Sequence, residues 1–157
     1  IVDCIDSLRD KCALLLNATN GLWGIKDGEK PQQELPVEGK VFSSMGAALK
    51  IDPTAIKVAE FWKVRGCPSG AVLRKKMKRA KQTPGKKIQC VYSEEVLPNL
   101  GEDNEKTSPT SYVKNDADMA SDELNAKKKQ VNGTLAHITA IFGFTLAGLI
   151  LQDIYKS

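Results

Sequence analysis

Two side chains in this sequence could hold a metal from within an apolar segment: Asn132 and His137, the one histidine of the chain. Both lie in "KKKQVNGTLAHITAIFGFTLAGLILQD", residues 127–153. A neutral imidazole or an amide oxygen can give a lone pair to a metal with an empty axial position. Inside a membrane helix such groups call for a partner, because hydrocarbon supplies no hydrogen bonds. Chlorophyll magnesium, short of a fifth ligand, suits either residue; haem would need a second axial ligand. A flat macrocycle also needs low relief beside its ligand. By helical spacing Gly133 and Ala140 lie on the side of His137, and Ala136 and Gly143 on that of Asn132. The rival reading is a close helix-packing seam at Gly143 and Ala147, with His137 hydrogen-bonding across it. The residues alone leave the two open.

The remaining chemistry-bearing residues point away from catalysis. Cys4, Cys12, Cys67 and Cys90 show no CxxC spacing, and one histidine gives no zinc-ligand pattern. Cys4 and Cys12 share the apolar side of an expected first helix with Ile1, Ile5, Leu8 and Leu15, where cysteine acts as a small buried hydrophobe. No P-loop, glycine-rich dinucleotide turn, nucleophile elbow or metalloprotease motif occurs. No catalytic residue is assigned, and the expectation is a protein that is not an enzyme. The segment "AVLRKKMKRAKQTPGKK" carries eight basic residues between Arg74 and Lys87. Its Arg74, Lys75, Lys76, Lys78, Arg79 and Lys81 could meet anionic lipid or an acidic protein surface. Without a zinc-finger, RRM or KH signature, nucleic acid is not expected.

These residues require elements to position them. Val131 to Leu151 is an uncharged stretch, His137 aside, that as a helix at about 1.5 Å per residue reaches roughly 30 Å, the thickness of a bilayer core. A single transmembrane helix over 131–153 follows. Lys127, Lys128 and Lys129 precede it, which places the N-terminal part on the cytoplasmic or stromal side. Upstream, Asp3 caps an expected helix ending near Asn17, and Ser43 or Ser44 starts a short one through Lys50. "IDPTAIKVAEFWKVRG" reads as a third, with Asp52 at the cap, Pro53 at its first position and Gly66 past its end. "IQCVY" is an expected short strand. Residues 94–123 are acidic and poor in apolar side chains, an extended strap. The expected class is therefore mostly α: a small helical region over 1–90 holding the basic segment 74–87, an acidic linker over 91–130, and the membrane helix. A start at Ile1 rather than Met suggests a processed product.

"NGTLAHITAIFGF" resembles the membrane helices of the light-harvesting chlorophyll-binding superfamily, the chlorophyll a/b, fucoxanthin and other algal antenna proteins and their one-helix relatives. Their signature, ExxNGRLAM or ExxHGRxAM followed by FGF, is matched at Asn132, Gly133, Leu135 and Ala136. Lys129 stands where the family has Glu, Thr134 where it has Arg, and His137 where it has Met. The resemblance implies that Asn132 occupies the chlorophyll-ligating position, with His137 a second axial ligand of magnesium and carotenoid a companion. It further implies an accessory one-helix subunit of an algal plastid thylakoid, linking photosystem core and antenna proteins. A second expectation is a membrane-tethered adaptor that binds a protein or anionic lipid through the basic segment. A third inverts the topology: Asn17-Ala18-Thr19 is a glycosylation sequon, and four cysteines suit a secreted ectodomain.

Overall fold

A computed structural model of the chain describes residues 1–21, 39–98 and 133–156. Val2–Asp3 form strand β1. Ser7 caps helix α1, Leu8–Asn20, its Oγ accepting from the Asp10 N–H at 3.4 Å, and Gly21 closes the helix in the left-handed conformation at φ 70°. The cap expected at Asp3 is thus at Ser7, and Asp3 is a buried strand residue. Strand β2 is Val41–Ser44, and β3 is Ile56–Glu60, reached through a 3-10 turn at Pro53–Ala55. A second 3-10 turn, Phe61–Lys63, leads to helix α2, Pro68–Arg79. Strand β4, Ile88–Ser93, contains the "IQCVY" run and crosses residue 90; helix α3 is Ala136–Lys156.

The strands make one sheet in the order β1-β2-β4-β3, with β1, β2 and β4 parallel and β3 antiparallel to β4. Two expected helices are therefore replaced, in part by strand. Asp52 does accept from the Thr54 N–H and Pro53 does open a turn, as the cap pattern suggested. After one turn, however, β-branched Ile56 and Val58 suit a pleated strand better than a helix. Pairing of Ile56 through Glu60 with Ser93 through Gln89 then takes up the backbone groups that helical bonds would have used. Ser43 and Ser44 likewise end β2, where Ser43 lies between Asp3 and Cys90.

Alternation along β4 sends its side chains to two layers. Ile88, Cys90 and Tyr92 join Leu15 of α1 and Leu73 and Met77 of α2 in one apolar cluster. Val91 and Phe42 face the other way, onto Ile138, Phe142 and Leu146 of α3. The mostly α class is corrected accordingly: the protein is α/β, a mixed sheet with α1 and α2 on one face and α3 on the other.

The transmembrane reading fails at the same point. α3 remains long and apolar enough to cross a bilayer by length and composition. Yet its stripe at positions 138, 142 and 146 is seated on the sheet, and Asp153 near its far end pairs with Lys40. It is the back layer of the α/β fold rather than an isolated anchor. Lys127 to Lys129, Asn132 and most of the acidic strap fall outside the described residues.

Candidate functional site

Because β1, β2 and β4 are parallel, their carboxyl ends lie on one edge of the sheet, and the segments after them are neighbours. In open α/β sheets ligands bind outside that edge. Its first support is a closed network around Asp3, which is fully buried. Asp3 Oδ2 accepts from Lys11 Nζ at 2.7 Å and from Ser43 Oγ at 2.6 Å, while Oδ1 accepts from the Ile5 N–H at 3.0 Å. Lys11 also donates to the Ile5 carbonyl at 3.0 Å. The buried pair thus clamps the start of the 4–7 loop, whose residues Cys4, Asp6 and Ser7 remain exposed.

A second clamp joins the segments after β2 and β4. Buried Lys50 donates to the carbonyls of Ser93 at 3.3 Å and Glu95 at 2.6 Å. Burial pushes this ammonium below its ordinary pKa, against the opposing pull of Cys67 and Glu95. The Glu95 carboxylate in turn accepts from the N–H groups of Ile51 at 2.7 Å and Asp52 at 3.0 Å. His137 Nε2 donates to the Ile51 carbonyl at 3.0 Å, tying the head of α3 to the same turn.

The N-terminus of α2 completes the edge. Cys67 caps it, its sulfur accepting from the Gly70 N–H at 3.4 Å, and Ser69 Oγ accepts from the Gly46 N–H at 3.2 Å. Gly66 has φ +58° and lies so near Glu94 that a Cβ would stand 2.5 Å from its carbonyl oxygen. A shallow cleft of about 400 Å³ opens here, lined among others by Arg65, Gly66, Cys67, Arg74 and Val96. The half-buried Arg74 donates to the Phe61 carbonyl at 3.1 Å. The edge is therefore rigid and carries cations beside a cleft, an arrangement that can hold and orient an anionic ligand. Among the described residues no group of His, Cys, Asp and Glu could hold a metal.

The residues singled out from sequence fare differently. Asn132 lies outside the described residues. His137 is exposed at the head of α3, where its Nε2–H donates to the Ile51 carbonyl and braces the turn after β2. Arg74, Lys75, Lys76, Lys78, Arg79 and Lys81 all belong to α2 and the turn after it. Asp3, Lys11, Lys50 and Glu95 were missed. Asp3 and Lys11 are 8 positions apart and the other long-range partners 40 to 45, and the one local signal was the "VDCIDSLRDK" order of strand, serine cap and helix. All four cysteines are free, with Cys4 exposed and Cys12, Cys67 and Cys90 buried.

No protein-family model matches the chain. It is 31% identical, over 165 aligned positions, to tRNA threonylcarbamoyladenosine dehydratase 2 of Saccharomyces cerevisiae, across 98% of this chain and 30% of that protein. It is 28% identical over 117 positions to tRNA threonylcarbamoyladenosine dehydratase of Bacillus subtilis, across 74% of this chain and 41% of that protein. Among solved structures, the E. coli tRNA N6-threonylcarbamoyladenosine dehydratase TcdA in complex with ATP superposes with a TM-score of 0.59 at 23% identity, over 99% of this chain and 47% of that one. The same protein in complex with AMP gives 0.58. The chain thus has the fold of a part of TcdA, and it spans less than half the length of the relatives it matches.

These likenesses overturn the light-harvesting reading, which rested on four residues of one helix. With it go chlorophyll and carotenoid as cofactors, photosystem and antenna partners, and the thylakoid address. The adaptor reading with lipid as partner has no support either. Relatives named as tRNA dehydratases, one of them seen with ATP and AMP, likewise overturn the expectations of no enzyme and no nucleic acid.

Proposed function

From the premise that nearly the whole chain aligns with part of a tRNA threonylcarbamoyladenosine dehydratase, we propose that it is a portion of a tRNA-modifying, nucleotide-using dehydratase. The observation that carries this reading is the 31% identity maintained over 98% of the chain. The carboxyl edge supports it independently: parallel strand ends and two arginines beside a cleft suit a phosphate-bearing ligand.

Toward ATP these residues fit as one wall of a site. The sequence contains no glycine-rich phosphate loop. Its own contribution is positional. The Asp3–Lys11 pair holds the 4–7 loop, and Lys50 with Glu95 holds the two neighbouring segments, so that the edge need not reorganise when an anion arrives.

The test is to incubate the full-length protein with ATP and tRNA bearing threonylcarbamoyladenosine, then digest the tRNA and analyse its nucleosides by mass spectrometry. The expected product is a modified nucleoside lighter by one water, formed only with ATP. Unchanged nucleoside, with ATP bound or not, would overturn the reading.

A further inference from the structure

We propose that the outward face of α2, together with Trp62, is the surface on which the phosphate backbone of the RNA substrate docks. This rests on the reading of the protein as a tRNA-modifying enzyme and adds to it the place of contact.

The charge distribution is the first observation. The whole chain has a formal charge of +4, from 23 Lys and Arg against 19 Asp and Glu. Ten of those cations and none of those anions fall between Phe61 and Ser93. Folding concentrates them further. α2 buries Gly70, Leu73 and Met77 against the sheet, so by helical spacing Lys75 and Arg79 point directly away from it, flanked by Lys76 and Lys78. Among the described residues Lys75, Lys76, Arg79 and Lys81 make no ion pair. Arg74 and Lys78, and Lys75 and Arg79, are like charges four residues apart, which works against the helix. An anion laid along this face would relieve that repulsion.

The second observation is aromatic. Trp62 is 36% exposed and meets Phe61 edge-on at 5.3 Å between ring centroids. The Lys78 ammonium lies 5.7 Å from the Trp62 ring centroid. A ring and a cation this close can take a base and its phosphate together, the pairing by which proteins hold unpaired nucleotides. The ridge also starts at the candidate site, since Arg74 lines the cleft beside Cys67 and the cations continue from it to Lys81. RNA lying along α2 would therefore lead toward the carboxyl edge.

A lipid surface fits this face less well. A membrane-surface helix turns an apolar stripe outward into the headgroup boundary. Here the apolar stripe, Leu73 and Met77, is fully buried in the core, and Val72 is the one large apolar residue of α2 left exposed.

The experiment uses the full-length protein and a fluorescently labelled tRNA transcript, with binding read by anisotropy at several salt concentrations. The comparison is between wild type, Lys75→Glu with Arg79→Glu, and Lys156→Glu, a charge reversal at the end of α3 on the other side of the sheet. The proposal expects the double reversal to weaken binding by about tenfold or more and to reduce the salt-dependence slope by about two. Lys156→Glu should match wild type, and all three proteins should share one melting temperature. If the double reversal binds tRNA as tightly as wild type with an unchanged slope, the docking surface is wrong while the dehydratase reading stands on its product assay. If wild type holds phosphatidylserine vesicles and no tRNA, the surface serves lipid and the proposal falls. If wild type binds neither, the proposal falls and the tRNA reading itself is in question.

Discussion

Replacing Lys11 by Met should destabilise the protein far more than a lysine substitution ordinarily does. Lys11 is 3% exposed and Asp3 is 0% exposed, so removing the ammonium leaves a carboxylate in the interior with only Ser43 and the Ile5 N–H to solvate it. Breaking a buried pair in this way costs about 3–5 kcal/mol. The lost bond from Lys11 to the Ile5 carbonyl adds about 1 kcal/mol. Asp3→Asn, which strands the ammonium instead, should cost a similar amount. The double substitution removes both charges, and Asn can still accept from Ser43. Its cost should therefore be about 1–3 kcal/mol, well below the sum of the single costs. In urea, with a slope of about 2 kcal/mol per molar, each single substitution should lower the midpoint by roughly 2–3 M and the double by about 0.5–1.5 M. Additive costs, or a Lys11→Met cost under about 1 kcal/mol, would show that the pair is not the clamp described for the 4–7 loop.

Phe142→Ala should cost about 3–5 kcal/mol, because the ring is 2% exposed against the sheet, whereas the 76% exposed Phe144 should cost under about 1 kcal/mol; equal losses by denaturation would contradict α3 as a sheet-covering layer. Gly66→Ala should destabilise by more than about 2 kcal/mol, since left-handed φ and the nearby Glu94 carbonyl both oppose a Cβ, as a thermal melt would record. In native protein at pH 8, iodoacetamide should label Cys4 and spare Cys90, whose thiol burial and the charge of Glu60 push up to about 12; labelling of Cys90 before unfolding, mapped by mass spectrometry, would refute its burial. Lys50 has a folded pKa below its unfolded one, so the unfolded chain binds more protons between the two values and stability should rise with pH as alkalinity approaches 10.5. That rise should be absent from urea titrations of Lys50→Met.

Some of this protein is local, and its sequence alone determined it. The basic character of α2, the turn begun by Asp52 and Pro53, and the extended "IQCVY" run are set by nearby residues and survive in the fold. Burial of Cys12 also follows from its helix face, although Cys4 on the same expected face is exposed. The apolar length of α3 is equally plain, but hydropathy records only that a face needs cover. It does not distinguish a bilayer from a sheet, and Phe42 and Val91, which provide that cover, are remote in sequence. The candidate site was not legible for the same reason. Asp3 reads as a helix cap until Ser43 and Lys11 are brought to it, and Lys50 reads as a surface lysine until the carbonyls of Ser93 and Glu95 surround it. Strand pairing is non-local: which strands became neighbours, and so which loops share the carboxyl edge, was decided only by the tertiary structure.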